Sequence, residues 1–395
     1  MKKHIKFPLL ARIVTAIVLG IATASLMPLW GVRVFATFNA LFSQLLQFLI
    51  PLIIVGLVTP AIADIGRGAG RLLLITALIA YADTVGAGLL SYLTGTLTFP
   101  ALIHPGQSIA ALEEAEAVKP FFEIGVPPLM DVMAALILAF VAGLGIAYLH
   151  KPTLKTVADE FKDIIALTIE AVVLPLLPLY IFGIFLGMAH TGQAWHVVQV
   201  FITIIGIIFA LHVVLLVLQY CIAGLIVRRN PLRLLATMLP AYFTALGTSS
   251  SAATIPVTLR QTLRNGVSEG IAGFTVPLCA TIHLSGSALK ITACALALML
   301  MQGYPYDPGM FLGFILMLGV MMVAAPGVPG GSIMAALGVL SGMLGFTDSD
   351  CALMIALYIT MDSFGTACNV TGDGAIALIV DRIAATQKPA HADAA

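Results

Sequence analysis

The sequence predicts an all-α polytopic membrane protein with eight transmembrane helices and two re-entrant helical hairpins. Three observations carry that prediction. Of 395 residues, 60% are hydrophobic and only 10% charged, where soluble domains carry about a quarter charged residues. Apolar runs long enough to cross a hydrocarbon core of roughly 30 Å recur along the chain. Two late segments, Ala245–Thr258 (ALGTSSSAATIPVT) and Met361–Val380 (MDSFGTACNVTGDGAIALIV), interrupt otherwise lipid-compatible sequence with Gly, Ser and Thr. Interrupted backbone persists at membrane depth only where it is buried in protein or lines a wet cavity. Broken segments in corresponding halves point to a site for a small polar solute built from discontinuous helices.

The first half reads simply. MKKHIKFPLLARIV leads into an apolar run without a convincing cleavage site, so it is expected to remain as the first helix. Hydropathy places spans at about 8–30, 36–62, 71–97, 127–149, 160–189 and 196–226. One set of loops carries Lys2, Lys3, Lys6, Arg67, Arg71, Lys151, Lys155, Arg228, Arg229 and Arg233. The other carries Arg33, Lys119 within an acidic loop with Glu113, Glu114 and Glu116, and no Lys or Arg across His190–Trp195. The positive-inside rule then puts the N-terminus in the cytoplasm of a cell inner membrane or plasma membrane.

After Arg233 the pattern changes. Leu234–Arg264 is apolar at both ends around GTSSSAATIP and too short for two spans, so it reads as a re-entrant hairpin from the cytoplasmic side. A stretch at about 268–302 is expected to break at TIHLSGSA. The segment at about 308–345, with AAPGVPGGS at its centre, reads as a second hairpin from outside. The last stretch, about 350–384, is expected to break at FGTACNVTGDG. Hairpin, broken helix, hairpin, broken helix is an inverted repeat with both tips near the midplane. Lys+Arg and Asp+Glu number 19 each, leaving no basic field to attract nucleic acid. Cys221, Cys279, Cys294, Cys351 and Cys368 lack metal-ligand spacing and read as reduced packing residues. Trp30 and Tyr304 read as interfacial anchors, Glu170 and His212 as trimer or domain contacts, and residues 387–395 as a disordered tail.

Four motifs in order over about 150 residues resemble the glutamate transporter family, the dicarboxylate/amino acid:cation symporters. They are Ser249–Pro256 (SSSAATIP), Val276–Ala288 (VPLCATIHLSGSA), Gly327–Gly331 (GVPGG) and Asn369–Asp373 (NVTGD). The resemblance implies a homotrimer working as an elevator, with the second hairpin as gate. Residues 1–70 and 127–189 would form the scaffold. Residues 71–126, 190–230 and 231–386 would form the transport domain. It also implies an amino-acid substrate, with Asp362 on its ammonium and Asn369 on its main-chain carboxylate. Thr366, Ser250, Ser251, Val328, Pro329, Gly330 and position 365 complete that set. Asp373, Asn369 and the backbone carbonyl of Cys279 would hold sodium, a hard cation suited to oxygen ligands.

Three departures matter. Gly365 stands where acidic-substrate members have an arginine, so a neutral amino acid is favoured unless another cation fills the gap. The family's Asn-Met-Asp-Gly-Thr is here His283-Leu284-Ser285-Gly286-Ser287. Asp83, with Thr84 beside it, falls near the third-helix ligands of the same cation site. Asp83 facing His283 makes proton coupling one reading and an inert buried pair the other. Lys290 lies well inside the membrane and needs a partner. Replacing a sodium ion, pairing with Asp362 or Asp83, binding a substrate carboxylate and snorkelling all remain open. Lys290 also underlies the alternative substrate class, a C4-dicarboxylate or acidic amino acid. A channel-like, anion-conducting member is the rival class, though no repeated filter ring is evident. A serine–histidine intramembrane enzyme ranks third.

Overall fold

The computed structural model describes residues 9–66, 71–103, 118–149, 151–192, 194–325 and 329–386. The basic N-terminal residues, Arg67, the acidic residues 113–116, Gly327, Val328 and the tail lie outside the described residues. Every regular element among the described residues is helical. The first half comprises α1 (Leu9–Thr23), α2 (Leu29–Gly66), α3 (Arg71–Leu102), α4 (Val132–Leu149), α5 (Pro152–Thr168), α6 (Leu174–His190) and α7 (Ala194–Val227). One π turn, Ile169–Val173, joins α5 to α6 just before Pro175; such a bulge absorbs the backbone mismatch that a proline creates. Among the described residues, five helical stretches are long and apolar enough to span a membrane, and a sixth if one bent pair counts as a span. Their exposed faces carry Leu93, Leu97, Ile164, Leu167, Ile202 and Val213, as a lipid-facing surface requires.

The second half is four pairs of short helices: α8 (Pro231–Thr248) with α9 (Ser251–Arg264), α10 (Glu269–Ile282) with α11 (Ser285–Gln302), α12 (Pro308–Ala324) with α13 (Gly331–Leu344), and α14 (Asp348–Thr360) with α15 (Asp362–Thr386). Local chemistry sets the ends. Asn230 caps α8 through Arg233 N, with Pro231 in the first turn. Asp307 caps α12 before Pro308, and Thr347 with Asp350 closes a capping box on α14. Helix α13 starts after Gly330 at φ 76°, a left-handed conformation that glycine adopts without steric cost.

One expectation fails here. The last broken segment does not unwind at FGTACNVTGDG; those residues are helical within α15. The chain instead turns at Met361, where α14 and α15 meet at 63°. Small residues let neighbouring groups come close rather than breaking the helix. A Cβ on Gly365, Gly372 or Gly374 would come within 3 Å of Lys290, Gln219 with His283, or Tyr220 with Met238. Tyr304 also differs from a simple interfacial anchor, because its hydroxyl donates to Asp350 at 3.0 Å.

Helix α2 packs on α4, α5 and α6, and α1 on α6; α3 packs on α11 and α12; α15 packs on α7, α8, α10 and α11. Helices α10 and α11 form the most enclosed long segment, 94% buried within its most apolar window. The two groups touch through α12 and α13 on α2 and through α14 on α1 and α6. At that seam Gln47 donates to both oxygens of Asp348 at 2.8 and 2.9 Å, and Tyr180 donates to the Asp348 carbonyl at 3.3 Å. The segment before α4 is pinned along α2: Arg33 donates to Lys119 O at 3.1 Å and sits over the Phe121 ring.

Candidate functional site

The four interruptions of the second half converge on the start of α15. Between α8 and α9, Ser249 is left-handed at φ 49° and its hydroxyl lies 2.8 Å from that of Ser363. At the start of α13, Gly330 N donates to Asp362 Oδ2 at 2.9 Å. Two turns far apart in sequence therefore bond to adjacent residues. Helices α9, α11, α13 and α15 all begin at such breaks, where the first-turn N–H groups of a helix favour anions or polar caps.

Asp362, 7% exposed, turns its other oxygen to Lys290, 3.1 Å from Nζ. Lys290 is fully buried on α11. Its ammonium lies 3.4 Å from the centroid of the Tyr358 ring and donates to the Tyr358 and Met361 carbonyls at 3.5 and 3.4 Å. The turn between α14 and α15 thus supplies ring, carbonyl and carboxylate to one cation. Gly365 makes room for it, since a Cβ there would stand 2.7 Å from Nζ. The side-chain amine of Lys290 fills the space that any side chain at position 365 would enter.

Asn369 accepts from Gly286 N at 2.8 Å and Ser287 N at 3.3 Å, and donates to Ser287 Oγ at 3.2 Å. It caps the start of α11. Ser287 Oγ lies 3.0 Å from the Tyr358 hydroxyl, tying Asn369 to the lysine's ring. His212, placed by the sequence at a domain contact, lies 3.1 Å through Nε2 from the Gly286 carbonyl and braces the same break. Two hydroxyls serve the backbone: Thr366 Oγ1 donates to Asp362 O at 2.9 Å, and Ser250 Oγ accepts from Ala253 N at 3.3 Å as the cap of α9. Ser251 is buried in the first turn of α9. Pro329 and Gly330 form the turn into α13.

A second cluster lies one turn further along α15. His283 Nδ1 is 2.8 Å from Asp373 Oδ1, and Nε2 is 2.7 Å from Asp83 Oδ2. Gln219 donates to the same Asp83 oxygen at 2.6 Å and to Ser285 Oγ at 3.0 Å. Both hydrogen bonds of the ring need a proton, so three groups share two protons and one net negative charge. His283 lies in the break between α10 and α11, so Lys290, seven residues further on in α11, shares no helical face with it. Both ring nitrogens face carboxylates, leaving neither for Ser249, Ser250 or Ser251 as a catalytic base would require.

Sodium needs oxygen ligands. Here the inward carboxylate oxygens of Asp83 and Asp373 face imidazole nitrogen, Asn369 Oδ1 faces two N–H donors, and Cys279 O accepts His283 N at 2.9 Å. Thr84 Oγ1 is the one predicted ligand atom that is buried without a protein partner. The described side chains do not form an oxygen cage, because an imidazole lies between the two carboxylates. Gln219, Tyr358, Ser363 and the brace at His212 were missed as site residues. Gln219 was the legible one, a lone amide within the apolar run LLVLQYCIA.

A cleft of about 640 Å³ lies elsewhere, at the seam lined by Gln47, Asp131, Tyr180, Ser341 and Asp348. A bundle of apolar helices whose broken segments meet around a buried charge pair defines a membrane transporter. The chain belongs to the Sodium:dicarboxylate symporter family, which it matches over residues 9–383, and it is therefore a transporter and not an enzyme. It is 27% identical to the serine/threonine transporter SstT of Acinetobacter baumannii strain AYE over 398 aligned positions, covering 95% of this chain and 97% of that protein. The same transporter from strain SDF is 28% identical. Human excitatory amino acid transporter 2 is 33% identical over 149 residues, covering 38% of this chain and 26% of that protein.

Proposed function

We infer that this chain is a secondary active symporter of a small neutral amino acid. The observation that carries the reading is the meeting of both hairpin tips at Asp362–Ser363, with the Asp362 carboxylate already held by one ammonium and one backbone amide. A carboxylate so placed suits a substrate ammonium, and Asn369 with the first turn of α9 suits the substrate carboxylate. Asp362, Asn369, Thr366, Gly365, Ser250, Ser251, Val328, Pro329 and Gly330 form the substrate site in this reading. A whole-length relative named for serine and threonine supports a neutral substrate.

Lys290 occupies the space of the missing arginine, which favours a second reading: an acidic amino acid or C4-dicarboxylate bound by that lysine. The neutral reading is preferred because Lys290 is already matched by Asp362 and by the Tyr358 ring. Thermal-shift screening of the purified chain separates the two, because a ligand that prefers the folded state raises the melting point. Serine, threonine or alanine should stabilise it and aspartate or succinate should not; the reverse result replaces the first reading with the second. Repeating the screen with and without sodium and at two pH values assigns the coupling cation, sodium or proton, at the cluster of Asp83, Thr84, His283, Asn369 and Asp373. Saturable counterflow is expected, whereas unsaturable ionic current would indicate a channel.

The topology proposed is eight spans and two re-entrant hairpins, with the N-terminus cytoplasmic, in a homotrimer in the cell inner or plasma membrane. Residues 1–70 and 127–189 are the scaffold; residues 71–126, 190–230 and 231–386 move as an elevator. The Gln47–Asp348 bond then crosses the moving seam and has to break in each cycle. Gln47→Leu is expected to raise turnover by up to about tenfold, the scale of one hydrogen bond to a charged group. The half-saturation concentration should stay put. A fall in turnover would count against movement at this seam.

A further inference from the structure

We propose that Lys290 is a tethered cation that takes the place of the substrate ammonium on Asp362 when the carrier is empty, closing the second hairpin over the empty site and permitting its return. The inference rests on the amino-acid reading of the site.

An empty binding site is the difficult state for such a carrier. A buried carboxylate without a partner is costly at membrane depth, and the cost holds an empty carrier open to water. Here the partner is built in. Lys290 Nζ lies 3.1 Å from Asp362 Oδ1 while Gly330 N donates to Oδ2 at 2.9 Å. The same carboxylate therefore joins the cation and the turn of the second hairpin. The lysine's seat is shaped for it: a face of Tyr358 at 3.4 Å, two carbonyls of the α14–α15 turn, and a glycine at 365 where any Cβ would stand 2.7 Å from Nζ.

The charge count explains why one site serves both states. Empty, the Asp362 carboxylate and the Lys290 ammonium sum to zero. Loaded, a zwitterion adds zero, its ammonium taking Asp362 and its carboxylate supplying the counter-charge that Lys290 gives up. Both states are neutral and both close. A ligand shifts a gate only by its differential affinity for open and closed forms, and Lys290 acts as such a ligand covalently held at the site. The two ammonium groups compete for one carboxylate, so the tether lowers apparent substrate affinity while allowing net uptake.

The test uses the full chain in liposomes with labelled L-serine, and L-threonine and L-alanine as further probes. Net uptake into vesicles without internal amino acid requires empty return; exchange into vesicles preloaded with the unlabelled probe does not. For Lys290→Met, the ratio of net uptake to exchange is expected to fall about tenfold, within the usual range of coupling effects. The half-saturation concentration for exchange should fall as well, the opposite of what structural damage does. Gly365→Ala removes no charge but pushes the ammonium from its seat, so a smaller fall in the same ratio is expected, and it carries the test if Lys290→Met does not fold. Exchange with a wild-type ratio in the folded variants overturns the inference alone. Wild-type vesicles that exchange none of the three probes overturn the amino-acid reading and the inference with it.

Discussion

Asp362→Asn is expected to abolish detectable amino-acid binding and to lower the stability of the empty chain. In the proposed reading, the first effect follows from losing a charge-assisted hydrogen bond to the substrate ammonium. Such bonds contribute roughly 1.5–3 kcal/mol, and each 1.4 kcal/mol is about tenfold in affinity. The second follows from Lys290, which is fully buried and would be left without the carboxylate that balances it. Breaking one side of a buried pair costs roughly 3–5 kcal/mol. The double variant Asp362→Asn/Lys290→Met removes both charges and should recover most of the lost stability while still failing to bind. Thermal unfolding in detergent reads stability; labelled-substrate binding reads affinity. Unchanged affinity in the single variant would remove Asp362 from the substrate site.

His283→Ala should produce the second large effect. The imidazole holds apart two carboxylates from different elements, Asp83 on α3 and Asp373 on α15, at 2.7 and 2.8 Å. Asp373 is only 1% exposed, so water does not readily replace the ring. Two hydrogen bonds to charged groups are lost at once and a buried carboxylate is left without its partner, a cost of roughly 3–5 kcal/mol. His283→Ala/Asp373→Asn should regain more than half of the lost melting temperature. Wild-type melting of the single variant would show that the ring is not what joins α3 to α15.

Much of this architecture was legible because lipid constrains sequence so strongly. Apolar length marked the helical runs, and the breaks at Ser249–Ser250 and His283–Leu284 fall where polar and small residues interrupt them. The break at Met361 was not legible. No Gly or Pro marks it, and the Gly-rich stretch that resembled a break is straight helix. Glycine has two uses, unwinding the chain or admitting a neighbour. At Gly365, Gly372 and Gly374 the neighbours Lys290, Gln219 and Tyr220 come from other helices, and sequence spacing does not show them.

Lys290 shows the same division. Its presence in an apolar helix required a partner, but Asp362, Asp83 and a substrate carboxylate all fitted the sequence. The structure chose Asp362, because the turn at Met361 brings carboxylate, carbonyls and the Tyr358 ring to one point. Asp83 and His283 are likewise 200 residues apart in sequence and one hydrogen bond apart in space.

The sequence by itself determined that this is a helical membrane protein with interrupted segments in its second half, because burial in lipid demands apolar length and penalises unsatisfied backbone. Only the tertiary structure decided which charges meet, because pairing of buried ions depends on distances of about 3 Å between helices that the chain reaches by separate routes.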